Sequence, residues 1–170
     1  MTINILTVII LTMQDEWLAS QVCTALMRIG TRMATVFDQQ FAPLGLTQAQ
    51  FRLLLAVREE GGAEGIASSV LAERLLLERA TVSVLTTRLV ERGLLRRTDG
   101  ENRRTFLLRL TDESRALLEQ VVPHAVALAD HTLADFSLEE MRRTLALLDT
   151  LESHLRGGDR PASPPTPDRA

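Results

Sequence analysis

A chain of 170 residues, 45% of them hydrophobic, is long enough to bury a core without covalent staples, and its single cysteine excludes an internal disulfide. The net charge of -3 does not mark a nucleic-acid binder, but the charge is unevenly spread. From Arg79 to Arg109 eight arginines stand against three acids, a local +5 that leaves -8 on the remainder.

A basic patch on an acidic body suits contact with backbone phosphates, although a solvated charged surface has the same composition. All 19 basic residues are Arg. A lone Cys23 fits a reducing, cytoplasmic compartment. The opening run, MTINILTVIILT, lacks a basic start, a cleavage site and the length to span a bilayer, so neither a signal peptide nor a membrane anchor is expected. We expect translation to begin at Met13, with residues 1–12 an extension rather than the native start. An extra strand or arm used in assembly is the alternative.

From Trp17 to about Ala42 the spacing predicts one long helix. Leu18, Val22, Leu26, Ile29, Met33, Val36 and Phe37 fall on one stripe, beside a face of Cys23, Met27, Gly30 and Ala34 suited to close packing on another helix, such as one from a second chain. Pro43 and Gly45 end it. Thr47 to Gln50 is a capping box, with Leu46 and Phe51 placed as its hydrophobic staple. Glu59 to Gly65 reads as a loop, and Ile66-Ala67 as a very short strand. Ser68 or Ser69 is expected to cap a helix from Val70 to about Leu76. A second helix follows from Arg79 to Arg92, stopped by Gly93. Leu94–Arg97 and Thr105–Leu110 read as the strands of a hairpin, with Asp99-Gly100 in the turn region. Thr111 should cap a long helix that Pro123 kinks or breaks. Ser137 to Glu140 is a second capping box, with Phe136 and Met141 as its staple. Leu138, Met141, Leu145, Leu148, Leu151 and Leu155 stripe the last helix. The Gly157–Ala170 segment reads as a disordered tail.

On a helical wheel the Arg79–Arg92 helix turns Val82, Leu85 and Leu89 inward. Ala80, Ser83, Val84 and Thr87 point the other way, flanked by Arg79 and Arg88. Small side chains allow close approach to a major groove, Ser and Thr hydroxyls bond base edges or phosphates, and Ala or Val meets a thymine methyl. Thr81, in the first turn, suits a phosphate. The hairpin adds Arg96, Arg97, Arg103 and Arg104, and an arginine at such a tip can enter a narrow minor groove. A surface helix with a polar hairpin is the plainer alternative.

The run LAERLLLERATVSVLTTRLVERGLLRR resembles the helix-turn-helix of the MarR family of winged-helix transcription regulators, and DGENRRTFLLRLT resembles that family's wing. APLGLTQAQFRLLL is similar to its turn into the second helix. The resemblance spans about Trp17 to Leu155. It implies a homodimer whose first and last helices interlock, with recognition helices in successive major grooves and wings over the minor grooves. It carries a recognition role to Arg79, Thr81, Ser83, Val84, Thr87 and Arg88, and the wing-tip role to Arg104, beside Arg103. Three positions depart from the family pattern. Leu76 stands where a turn glycine is common, Glu78 where Ser or Asp often caps the recognition helix, and Asn102 where many wings carry an Asp that orients the arginine.

The expected fold is mainly α with a small β-wing. Residues 1–12 are an extension, 13–45 an N-terminal dimerisation helix, 46–111 a winged helix-turn-helix lobe, 112–156 C-terminal dimerisation helices and 157–170 a tail. The expected function is a ligand-responsive repressor that binds a pseudo-palindromic operator in double-stranded DNA as a homodimer. Arg28, Arg32 and Arg52 are the candidate residues for an anionic effector. Cys23 is a candidate redox residue, because QVCTALMRIGTRM resembles the first helix of the family's hydroperoxide-sensing branch, which would make the protein a peroxide-sensing repressor. Met27 and Phe37 stand where that branch has tyrosines, and no activator of the thiol is evident, so a packing role is the reading preferred for Cys23. A helical dimer whose winged lobe binds a protein partner is the other alternative. His124 and His131, near Asp130 and Asp135, lack a third ligand at a telling spacing, so no metal and no cofactor is expected. GxSxG, HExxH, a phosphate loop and CxxC are absent, and no enzyme is expected.

Overall fold

The structure, a computed structural model, describes residues 5–100 and 106–156, with side chains placed from Trp17 onward. The element order is α1 (Ile5–Phe41), a 3₁₀ turn (Ala42–Leu44), α2 (Gln48–Gly61), β1 (Ile66–Ala67), α3 (Ser68–Leu75), α4 (Arg79–Glu91), β2 (Leu95–Asp99), β3 (Phe106–Leu110), α5 (Asp112–Thr132) and α6 (Leu138–Arg156). The three strands form one antiparallel sheet in the order β1-β3-β2. In the hairpin Leu95 lies opposite Leu110, Arg97 opposite Leu108 and Asp99 opposite Phe106. The fold is therefore mainly helical with a small sheet, as the sequence implies. The chain divides into two units, residues 1–126 and 127–170.

In the first unit the core gathers around α2. Leu53, Leu54 and Val57 are buried there with Leu71 of α3, Val82 and Leu89 of α4, Leu108 of β3, and Leu118 and Val121 of α5. Each such side chain contributes about 1.5–3 kcal/mol through area removed from water. Phe41, at the end of α1, packs on Phe51 at a ring separation of 4.9 Å. Thr47 and Gln50 form the capping box: the Thr47 hydroxyl accepts from the Gln50 amide, and the Gln50 side chain accepts from the Thr47 amide. Leu46 and Phe51 are both buried, so the staple forms as well. Gly65 has φ +87°, and a Cβ there would lie 2.8 Å from Cγ of Arg109, so glycine is what lets β1 approach β3.

Several expectations are corrected. Residues 5–12 continue α1 as helix and form no strand. With no Gly or Pro between Ile5 and Trp17, β-branched residues alone lower helix propensity only slightly. Helix α2 runs on to Gly61, so the loop is shorter than the Glu59–Gly65 span. Helix α3 starts at Ser68 with Ala67 as its cap residue, and neither Ser68 nor Ser69 supplies a capping bond, because the chain enters directly from β1 in extended geometry. Strand β2 runs to Asp99, two residues past Arg97. Pro123 sits inside an unbroken α5, on its exposed side. Asn102, Arg103, Arg104, Thr105 and the tail from Gly157 lie outside the described residues.

The stripe on α1 is not core. Trp17, Leu18, Val22, Leu26, Ile29, Met33 and Val36 are all exposed, and only Phe37 and Phe41 reach the core. In the second unit, α6 buries none of its residues, and Leu138, Leu145, Leu148, Leu151 and Leu155 are exposed. Its N-terminal box does form: the Ser137 amide donates to Glu140 at 2.8 Å and the Glu140 amide to the Ser137 hydroxyl at 3.3 Å.

Candidate nucleic-acid interface

Helix α4 presents its outer face as small and polar. Arg79, Ala80, Thr81, Ser83, Val84 and Arg88 are exposed, and Thr87 is half-buried. The inward side is Val82, Thr86 and Leu89, all fully or almost fully buried, while Leu85 is only half-buried. Thr86 therefore takes the inward place expected of Leu85. Its hydroxyl is satisfied by the Ser83 carbonyl at 3.0 Å, which is why a polar residue is tolerated there. Periodicity in apolar residues could not find it.

The two helices of the motif end alike. At the end of α3 the Leu77 amide bonds back to the Ala72 carbonyl at 3.0 Å, and Leu76 is left-handed at φ 54°. At the end of α4 the Leu94 amide bonds to the Leu89 carbonyl at 2.9 Å, and Gly93 is left-handed at φ 70°. Both are six-to-one closures of the Schellman kind. One uses glycine and the other a leucine, which is 60% exposed and the only non-glycine with positive φ among the described residues. At the other end of α4, Glu78 is the cap residue and makes no side-chain capping bond.

Helix α4 is tied by side chains toward its C-terminal half. The Thr87 hydroxyl accepts from Nη2 of Arg97 on β2 at 3.2 Å, joining helix and wing. Arg92 reaches 47 residues back and donates Nη1–H to the Gly45 carbonyl at 2.6 Å, with a longer contact of 3.4 Å to Oε1 of Gln50. The Thr111 hydroxyl donates to the Gly93 carbonyl at 2.7 Å and accepts from the Ser114 amide at 3.2 Å, so the residue that caps α5 also holds the end of α4. The site set read from sequence omits Arg92 and Thr111, and it offers Arg97 only as one of the hairpin arginines and not as a partner of Thr87. A cation at a helix C-terminus was the available signal for Arg92, but its partner is remote in sequence.

Arg28 and Arg32 share one shallow, open groove along α1 with Thr31, Thr35, Val36 and Gln39. Arg52, on α2, lies on a separate patch with Glu59, Glu60 and Arg74, where Arg74 pairs with Glu60. The single chain does not bring the three candidate effector arginines together. Cys23 is exposed on α1. Among the described residues no helix is long and apolar enough to cross a membrane.

Comparison with known proteins accords with this geometry. The sequence model of the MarR family matches residues 44–105. The chain is 32% identical over 131 residues to the HTH-type transcriptional regulator PecS of Dickeya dadantii (strain 3937), covering 76% of this chain and 79% of PecS. Among solved structures, the M. tuberculosis transcriptional regulator MOSR in complex with DNA superposes with a TM-score of 0.65 at 26% identity, over 79% of this chain and 97% of that one. BpsR of Bordetella bronchiseptica, whose DNA binding is regulated by 6-hydroxynicotinic acid, gives a TM-score of 0.71 at 29% identity, over 79% and 95% of the two chains.

Proposed function

Since the chain belongs to the MarR family of DNA-binding transcription regulators, we propose that it is a homodimeric, effector-responsive repressor that reads a pseudo-palindromic operator with two copies of α4. The observation that carries the reading is the exposed outer face of α4: hydroxyls and small apolar groups in the middle, Arg79 and Arg88 at its edges, on a segment of local charge +5. Ser83, Val84 and Thr87 would meet base edges, and Arg79, Thr81 and Arg88 the flanking phosphates. Arg103 and Arg104 would serve the wing in the adjacent minor groove.

Dimerisation is supported by apolar surface that one chain leaves in water. Helix α1 exposes eight large apolar side chains from Trp17 to Val36, six of them on its long stripe, and α6 buries nothing. Each is an exposed apolar helix face, and such a face marks an association site. Residues 13–45 and 112–156 would then be the dimerisation helices around a DNA-binding lobe of 46–111. An effector response is supported by the similarity to BpsR, and an anionic ligand by Arg28 and Arg32 in one groove. The effector would act by favouring a dimer whose lobes no longer match the operator spacing.

Electrophoretic shift with duplexes from the protein's own promoter region is the direct test, with mass measurement for the dimer. Preference for one duplex over random sequence, weakening steeply with salt as counterions are released, is the expected result. Equal binding to all duplexes at physiological salt would remove the specific-regulator reading and favour a protein partner for the lobe.

A further inference from the structure

We infer that Arg92 is a positioning residue for DNA reading: it fixes the C-terminal end of α4 to the α1–α2 junction and so sets the half-site spacing the dimer accepts. The inference rests on the operator-reading function proposed above. Arg92 is exposed on the end of the helix that carries the outward face, yet its guanidinium turns back to the Gly45 carbonyl at 2.6 Å. It also approaches Oε1 of Gln50, the same oxygen that accepts the Thr47 amide at 3.1 Å. One residue along, the Gln48 amide donates to the Asp38 carboxylate of α1 at 2.5 Å. The end of α4 is thus wired through one turn to α1, the helix whose apolar stripe is exposed.

Immediately beyond Arg92, the Gly93 carbonyl is held by Thr111 at the head of α5. Two side-chain bonds therefore anchor one end of α4, one to the α1–α2 turn and one to the residue at the head of α5. The opposite end has an uncapping Glu78 and a left-handed Leu76 before it. Among the described residues, the side-chain bonds that tie α4 to other elements, Arg92 to Gly45, Thr111 to Gly93 and Arg97 to Thr87, all lie toward its C-terminal end, while its N-terminal half is held by packing of the buried Val82. A displacement of α1 that carries the α1–α2 turn with it would be passed through Arg92 to the end of α4 and would tilt the helix that carries Arg79 and Thr81.

The test uses the full-length protein and a duplex selected from a random library by the wild type, with copies whose half-site spacing is one base pair longer or shorter. Arg92→Ala is expected to lower affinity for the best duplex by roughly tenfold and to reduce discrimination between spacings several-fold. The slope of log affinity against log salt should stay as in the wild type, because no phosphate contact is lost. Arg92→Lys, which keeps one donor for the Gly45 carbonyl, should restore most of the discrimination. Gly45→Ala leaves every arginine in place but sets a Cβ 3.2 Å from Nη2 of Arg92 at a left-handed φ, and it should blur spacing in the same way.

A salt slope smaller by about one in Arg92→Ala, with uniform loss across spacings and no effect of Gly45→Ala, would make Arg92 a phosphate contact and overturn the inference. Wild-type discrimination in both variants would overturn it equally. Should Arg92→Ala not be recovered as a folded dimer, Gly45→Ala decides between the same outcomes. A wild type that selects no duplex defeats the operator-reading function itself, which is a separate result.

Discussion

The guanidinium of Arg97 donates to the hydroxyl of Thr87 at 3.2 Å, tying the first strand of the wing to the face of α4 that points outward. One lone pair of that hydroxyl is occupied, so Thr87 is set to donate its own proton to an acceptor, such as a purine N7 or a phosphate oxygen. Arg97→Ala and Thr87→Val should each weaken operator binding. The double variant should fall short of their sum by at least about 0.5 kcal/mol, since residues in contact couple. Strict additivity in binding titrations would show that the two act independently.

Leu76 holds a left-handed conformation that costs a residue with a Cβ about 1–2 kcal/mol. Glycine there avoids that strain but loses more chain entropy on folding, about 0.5–1 kcal/mol. Leu76→Gly should therefore stabilise the protein by roughly 0.5–1 kcal/mol, with DNA affinity unchanged or improved, because the leucine is largely in water. Thermal unfolding, expected to shift upward by a few degrees, checks it. A drop in melting temperature would mean that Leu76 packs on something that outweighs its strain.

Features whose partners lie within a turn were readable in the chain. Both capping boxes, Thr47–Gln50 and Ser137–Glu140, form as read, because each is closed by residues three apart. The Ile66-Ala67 strand forms as expected, and it pairs with β3. Leu76 and Glu78 were legible as departures from a pattern, and both show their physical consequence, a positive φ and a missing cap. What escaped has distant causes. Arg92 and Gly45 are 47 residues apart, Thr111 and Gly93 are 18 apart, and no local rule joins them. Thr86 escaped because hydrophobicity cannot flag a buried hydroxyl that its own helix satisfies. The α1 stripe was visible, but periodicity reports only that a face is apolar and not which molecule covers it.

Cys23 is exposed on α1 of a protein with no tyrosine. A reactive thiol needs a setting that favours the thiolate. Cys23→Ser should bind the operator as the wild type does, and peroxide should leave wild-type binding unchanged. Release of DNA by peroxide that the serine variant abolishes would restore the redox reading of this residue.

Glu140 titrates below its ordinary 4.5, first because the Ser137 amide donates to its carboxylate and then because the Ser137 hydroxyl does. A carboxylate with a lowered folded pKa stabilises the fold at pH above its unfolded pKa, and that contribution is lost as pH falls through the folded value. The cap at the start of α6 should therefore hold at neutral pH and fray on acidification below about pH 4.5. Glu140→Gln, which keeps the side-chain acceptor without the charge, should flatten that part of the acid titration followed by helical circular dichroism. An identical acid limb in the two proteins would show that the box does not depend on the charge.

Glu78 occupies the cap position of α4 without capping it, and its carboxylate stands at the helix end nearest Arg79 and Thr81. A serine there can accept from the first-turn amides, a gain of about 1 kcal/mol in stability. It also removes a negative charge from the end of the helix expected to approach phosphate, so operator affinity should rise as well. Glu78→Gln separates the two effects, because it removes the charge without supplying a good cap. It should tighten DNA binding while leaving the melting temperature close to wild type, whereas Glu78→Ser should raise both. If neither variant tightens binding, the N-terminus of α4 does not approach the phosphate backbone, and the roles proposed for Arg79 and Thr81 fall with it.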